Sequence, residues 1–374
     1  MKKTCILFIT PLPPPVHGSS MVSQYLKDSK LIQEEFNCDF VNLSTSRRMD
    51  EIGKRSFIKI FRFICSYFIV FLKLLTHRYS LCYLAITCHG VGFLKDAPFV
   101  LLCKLFRRKI LIHQHNKGMS YDLKRWPYKW LFPLVYRNTK VMLLSWYLYK
   151  DISEVVNQDQ IVICPNGIPE ITDITTIKSH NTVPRILFLS NLIKSKGVYL
   201  LLDACKILKE RGYSFMCDFV GGESKEITRI DFEKAICDRG LEKNVLYHGP
   251  KYGPEKKYFW TLADIFVFPT YYGNECFPLV LLEAMQWKLP IVSTNEGGIP
   301  DIIQDNENGF ICERKDVNSL VEAIEKLLLN KDLRYNMGIK GNEIYKCKFT
   351  LDKFEERMKE LLSLNILINI KKEA

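Results

Sequence analysis

Two carboxylates, Glu275 and Glu283, bracket the densest chemical constellation in the chain: Tyr271-Tyr272-Gly273-Asn274-Glu275-Cys276-Phe277-Pro278-Leu279-Val280-Leu281-Leu282-Glu283-Ala284-Met285. The apolar run Ile265–Pro269 reads as a buried strand leading into a polar loop that ends at Glu275. Pro278 stands where a helix begins, which suits its fixed φ and missing N–H. A helix amino terminus placed after a strand's carboxyl end presents unpaired N–H groups and the positive end of the helix dipole. That is an anion site suited to phosphate or pyrophosphate. Glu283 follows about one and a half turns along, within reach of hydroxyls beside such a phosphate. Glu275 precedes the helix, close to a group on the phosphate's other side. On spacing alone, the pair also reads as a surface cap and a solvated helix charge.

A second candidate is His113-Gln114-His115-Asn116-Lys117-Gly118, which ends the apolar run from Ile110. Two histidines two apart raise the question of a metal. No third ligand lies close in sequence and no Asp-x-Asp occurs anywhere, so no metal and no other cofactor is expected. The 13 cysteines show no ligand spacing and read as reduced, mostly buried thiols.

Elements that could position these groups are legible as alternation. Ile6–Thr10, Cys38–Leu43, Leu81–Ile86, Ile110–His113, Val141–Ser145 and Ile161–Cys164 look like short buried strands separated by helix-length segments. After a polar stretch, Ile171–Pro184, the pattern restarts with Arg185–Ser190, Phe215–Val220, Val245–His248, Ile265–Pro269, Pro290–Thr294 and Phe310–Cys312. Val198–Arg211, Val317–Leu329 and Leu351–Leu364 read as helices. The fold class is α/β: two doubly wound parallel sheets, with ligands expected at the strands' carboxyl ends and between the domains. The domains are expected at 1–175 and 176–374, with a last helix near 351–370 able to pack back on the first. The N-terminal MKKTCILFITPLPPP reads as a first buried strand rather than a leader peptide, since Thr10 and the prolines interrupt its apolar run.

The formal charge of +12 is unevenly spread. Residues 1–180 hold 25 Lys/Arg and 13 Asp/Glu; residues 181–374 hold 28 of each. The basic half calls for an anionic partner. Within it, Lys54–His77 reads as a helix. Its Arg55, Lys59, Arg62, Ser66, Lys73 and His77 share an arc of roughly 40–60°, and apolar residues fill the rest. Its longest charge-free segment is too short to span a membrane. Two readings stay open: a mostly buried core helix, or a helix dipping into headgroups while Arg55, Lys59 and Arg62 meet anionic lipid. Arg107-Arg108-Lys109 and Trp126, Trp130 and Trp146 favour a membrane-facing surface on this half. Nucleic acid is disfavoured, because no recognition helix or aromatic RNA-binding motif is present.

The ordered series of motifs resembles the retaining GT-B glycosyltransferases, in particular glycosyltransferase family 4 (glycosyl transferases group 1). Glu275 through Glu283 matches that family's Glu-x7-Glu. Ala263–Thr270 precedes it, Leu289–Thr294 and Gly297-Gly298-Ile299-Pro300-Asp301 follow it, and Pro165-Asn166-Gly167 resembles the turn before the interdomain linker. The resemblance is strong over about 160–330 and patchier before.

It implies two Rossmann-like domains facing a cleft, with a UDP- or GDP-linked sugar held mainly by the second. Glu283 would bind ribose hydroxyls, and Glu275 would lie beside the donor sugar. The amides around Phe277, Leu279 and Val280 would meet sugar and phosphate oxygens. Pro278 replaces a frequent Gly and has no N–H to offer. Lys196, before Gly197, would clamp the pyrophosphate. Asn191 stands where the family's Arg is usual, so either Lys194 supplies the second charge or leaving-group stabilisation rests more on Lys196 and the helix dipole. In the first half, Pro13–Ser20, with His17 and Gly18, resembles the loop that approaches donor phosphate and acceptor; Ser19 and Ser20 suit a helix cap. His115 matches the histidine lining the reaction centre. Asn116 and Lys117 would help the acceptor site.

The implied function is a metal-independent, retaining glycosyltransferase moving a hexose or N-acetylhexosamine to a saccharide acceptor in O-antigen- or capsule-type polysaccharide assembly. A polyprenyl-diphosphate-linked acceptor and an anionic membrane surface would suit the basic half. The expected location is the cytoplasm, peripheral on the inner face of the membrane. The alternatives are a nucleotide-sugar 2-epimerase-like isomerase and a non-catalytic nucleotide-sugar-binding partner of a transferase, the latter motivated by Asn191.

Overall fold

Apolar runs of strand length alternate with helical segments along the whole chain, and they fold into two parallel sheets. The computed structural model describes residues 3–16, 18–46, 57–171 and 181–367. The chain divides into two compact units: Met1–Gly167 with the segment from Leu351 onward, and Ile168–Thr350. The division falls at 167, where the sequence suggested 175, and the last helix groups with the first unit.

The first sheet holds β1 (Thr4–Thr10), β2 (Phe36–Asn42), β3 (Leu81–Ile86), β4 (Ile110–Gln114), β5 (Lys140–Leu143) and β6 (Ile161–Ile163) in the order β2-β1-β3-β4-β5-β6. All neighbours are parallel. Its helices are α1 (Gly18–Asp28), α2 (Lys30–Glu35), α3 (Phe57–Thr76), α4 (Gly90–Leu105), α5 (Met119–Asp122) and α6 (Tyr128–Tyr136). Ile6 to Ile9 and all of β3 are buried, as expected of strands covered on both faces. The strand order reverses at β1, so the loops after β1 and β3 diverge at a topological switch point.

The second sheet holds β7 (Arg185–Leu189), β8 (Met216–Val220), β9 (Val245–Tyr247), β10 (Ile265–Phe268), β11 (Ile291–Thr294) and β12 (Gly309–Cys312), again parallel, in the order β12-β11-β10-β7-β8-β9. Its helices are α7 (Val198–Glu210), α8 (Arg229–Cys237), α9 (Gly253–Leu262), α10 (Leu279–Gln286), α11 (Ile299–Ile302), α12 (Val317–Leu329) and α13 (Lys331–Lys348). Here the switch point lies between β7 and β10. The closing helix α14 (Leu351–Leu367) buries Phe354, Met358 and Leu362, spaced four apart, and packs on α2. Arg357 of α14 donates to the Pro165 carbonyl at 3.3 Å.

Among the described residues no helix is long and apolar enough to cross a membrane. The helix expected over 54–77 is α3, and it is not a buried core helix. Only Val70 and Leu74 are buried. Nine of its 20 residues are exposed large hydrophobics: Phe57, Ile58, Ile60, Phe61, Ile64, Phe68, Ile69, Leu72 and Leu75. The polar stripe also faces the opposite way from the lipid-contact reading. Arg62 donates to the Thr45 carbonyl at 2.8 Å, Ser66 donates to the Asn42 carbonyl at 3.2 Å, and Lys73 pairs with Asp39 at 3.0 Å. β2 is an edge strand; its Asp39 carboxylate, which also accepts from the Tyr79 hydroxyl, and the Asn42 and Thr45 carbonyls draw the basic stripe inward. Lys59 is half-buried on the same stripe, and Arg55 lies outside the described residues.

Candidate active site

The second unit's switch point brings two predicted residues together. Gly197 has φ +86, and a Cβ there would sit 2.2 Å from the Pro269 carbonyl oxygen. Only glycine allows the loop after β7 to press against the loop after β10. The Tyr271 amide then donates to the Ser195 carbonyl at 2.7 Å. This sets the Lys196 ammonium directly on the Glu275 carboxylate, an ion pair with side chains only 15% and 10% exposed. The Lys196 Nζ also lies 4.7 Å from the Tyr272 ring centre and 5.3 Å from that of Phe268. Thr270 Oγ1 approaches the same Glu275 oxygen at 3.5 Å.

Glu275 is held from behind as well. Gly297, φ +57, would place a Cβ 2.3 Å from the Glu275 carbonyl oxygen, and Gly298 donates to the Cys276 carbonyl at 2.6 Å. The Gly297-Gly298 pair in the sequence was the signal for this buttress. α10 opens at Leu279 with Pro278 as its cap residue. Leu281 N–H already donates to the Pro278 carbonyl, so the amides of Leu279 and Val280 precede the first helical hydrogen bond. Phe277 is buried against Phe349, ring centres 5.7 Å apart, which fixes the entry into the helix.

Glu283 lies further along α10 and pairs with Lys256 of α9 at 2.5 Å. Sequence reading missed Lys256, because no motif links positions 27 residues apart. Asn191 is not left as a vacant Arg site: its Oδ1 accepts from the Gly222 amide at 3.1 Å. It thereby ties the loop after β7 to the turn after β8. Lys194 is exposed, and its amide donates to Glu226 at 3.0 Å. Hydrogen bonds from Thr228, with a smaller effect of Lys194, hold the Asp231 carboxyl below its ordinary range.

In the first unit the carboxyl end of β4 carries the histidines. His113 is fully buried, its Nδ1 2.5 Å from the Tyr83 hydroxyl, its ring centre 4.0 Å from that of His115. Burial, then the neighbouring His115, pushes the His113 pKa well below its ordinary value, so its ring is neutral. His115 is half-buried at the strand's end. Asn116 Oδ1 accepts from the Cys88 amide at 3.1 Å, which fastens the loop after β4 to the loop after β3. Half-buried Lys117 follows. Asp151 then accepts the amides of Gly118, Met119 and Ser120 at 2.7, 3.0 and 3.2 Å, capping α5.

Gly18 opens α1, and a Cβ there would meet nothing within 4 Å. Ser20, in the first turn of that helix, donates its hydroxyl to the Pro15 carbonyl at 2.9 Å. His17 lies outside the described residues. Among the described residues no three or more His, Cys, Asp or Glu side chains are grouped to hold a metal ion.

Two doubly wound parallel sheets, each with loops gathered at a switch point, define a GT-B protein. Residues 171–344, within the second unit, match the family described as glycosyl transferases group 1. It is 29% identical over 163 residues to the capsular polysaccharide biosynthesis glycosyltransferase CapM of Staphylococcus aureus, covering 44% of this chain and 41% of that one. It is 33% identical over 147 residues to the amylovoran biosynthesis glycosyltransferase AmsK of Erwinia amylovora, covering 38% and 35%. The chain thus spans well under half the length of these curated relatives. Among solved structures, sucrose-phosphate synthase from Thermosynechococcus elongatus superposes with TM-score 0.72 at 16% identity, over 96% of this chain and 98% of that one. Anabaena HepE in complex with UDP-glucose superposes with TM-score 0.72 at 16% identity, over 96% and 99%.

Proposed function

We propose that this chain is a retaining, metal-independent glycosyltransferase. It moves a hexose or N-acetylhexosamine from a UDP- or GDP-linked donor to a lipid-linked saccharide in cell-surface polysaccharide assembly. The observation that carries this reading is the Lys196–Glu275 pair at the second switch point, beside the amino terminus of α10. A nucleoside diphosphate departs with growing negative charge. A preorganised ammonium and the amides of Leu279 and Val280 stabilise that charge as it develops. When the diphosphate arrives, Lys196 exchanges the carboxylate for phosphate oxygens. Glu275 is then left to face the sugar, whose ring becomes oxocarbenium-like. Glu283 takes the ribose hydroxyls in place of Lys256. The leaving phosphate accepts the proton of the attacking acceptor hydroxyl, on the face it vacates. His115, by family resemblance, serves the transferred sugar.

The names of the curated relatives support polysaccharide biosynthesis, and the HepE complex supports a nucleotide-sugar donor. Asn191 does not favour a non-catalytic partner, because it has a structural duty on Gly222. The test is incubation of the full chain with labelled UDP- and GDP-sugars and polyprenyl-diphosphate-linked saccharides. Transfer with one donor, with retention at the anomeric carbon and in the presence of chelator, is expected. Folded protein that transfers from no donor overturns the reading.

A further inference from the structure

Among the described residues of the first unit the apolar arc of α3 is left exposed, and its surroundings carry a consistent charge. α3 packs on α4 through Phe63 and Tyr67, whose rings meet Phe99 at 5.5 and 5.6 Å. α4 in turn packs on α6, so the three helices form one layer over the sheet. The layer exposes large apolar and aromatic side chains: Phe57 (91% exposed), Phe61, Ile64 and Phe68 on α3, then Trp126 (82% exposed) just before α6 and Trp130 in its first turn. Between residues 57 and 150 there are 16 Lys and Arg but only two acids, Asp96 and Asp122, both buried. Asp96 is consumed by the Thr87 amide and Lys95, and Asp122 by the Gly90 amide and Arg125.

We propose that this layer docks the first unit on an anionic phospholipid bilayer, with α3 lying in the headgroup plane. Its apolar arc enters the acyl boundary, and Trp126 and Trp130 sit at headgroup depth. Exposed Lys124, Arg125 and Lys129 flank these tryptophans in sequence, with Lys129 Nζ 5.7 Å from the Trp130 ring centre. Arg62 and Lys73 do not touch lipid; they hold α3 to β2 and its following loop so that the apolar side faces out. A second copy is a poorer occupant, since pairing two such faces sets like charges against each other. The first turn of α3 lies toward the carboxyl end of the sheet, the end that carries Gly18, His115 and Asn116. A docked bilayer would therefore meet the unit at its acceptor end. The purpose of docking rests on the transferase reading with a lipid-linked acceptor.

The test is sedimentation of the full chain with vesicles of phosphatidylglycerol mixed into phosphatidylcholine, beside phosphatidylcholine alone. Binding to the anionic vesicles is expected, weakened about tenfold or more by Ile64→Ser with Phe68→Ser, and likewise by Trp126→Ala with Trp130→Ala. Arg62→Gln should lower the melting temperature while leaving the exposed arc in place to bind. Undiminished binding of the Ile64/Phe68 variant overturns the proposal. So does a wild type that ignores vesicles and instead forms a dimer that the variant dissolves. UDP and GDP titrations on the same preparations separate the two readings. A wild type that binds nucleotide but not anionic vesicles sinks only the docking surface, and one that binds the vesicles but neither nucleotide sinks only the transferase.

Discussion

Lys196 and Glu275 neutralise each other as a largely buried ion pair, so each is held in place by the other. On the proposed reading, Lys196→Ala removes the cation that would meet the leaving group, and it leaves Glu275 buried without its partner. Transfer should fall on the order of a hundredfold or more, chiefly in kcat; a steady-state assay that finds kcat unchanged would rule out leaving-group stabilisation by this lysine. Lys256→Ala should act in the opposite direction on binding. Its pair with Glu283 is about a quarter exposed, so freeing the carboxylate should tighten nucleotide binding by no more than about fivefold. Weaker binding would mean that Lys256 touches the nucleotide itself. His113 gives a pH signature. Its pKa is depressed in the fold, so below the unfolded value of about 6.5 the unfolded chain takes up a proton that the folded chain refuses. Stability should therefore be full above pH ~6.5 and decline as pH falls, by up to about 1.4 kcal/mol per pH unit from this group. In His113→Phe the melting temperature should lose that part of its slope. Glu275 and His115 were legible from motif and strand end. Lys256 and the duty of Asn191 were not, because both depend on contacts between distant loops.

At the scale of elements, the twelve strands could be read because buried parallel strands are plain apolar runs. What periodicity could not supply was the direction in which α3 faces. A polar stripe on an amphipathic helix ordinarily points to water. Here Thr45, Asn42 and Asp39 offer acceptors at an open sheet edge, and they turn Arg62, Ser66 and Lys73 inward. Glycines divide in the same way between structure and function. Gly197→Ala forces a Cβ into the Pro269 carbonyl at a positive φ, and should cost more than about 1 kcal/mol and displace Lys196. Gly18→Ala meets open space, and should fold with wild-type stability in a thermal melt. If Gly18→Ala nevertheless loses transfer, the loss reports close approach of a substrate; full activity would remove Gly18 from the site.

Across the whole molecule the charge divides as the sheets do. The neutral second half needs few cations because the switch point places Lys196 and the first amides of α10 on one loop cluster. The basic first half exposes an apolar, aromatic layer with its only acids buried. Both halves turn on one claim, that the second switch point takes the diphosphate of a nucleotide. Titration calorimetry of UDP and GDP into the full chain and into Lys196→Ala measures this most directly. One nucleotide should bind the wild type, adding about 2.7 kcal/mol of stability at a hundred times its Kd. The Lys196→Ala chain should bind it about tenfold or more weakly. Folded wild-type chain that binds neither nucleotide, or a variant that binds as tightly as the wild type, would contradict it.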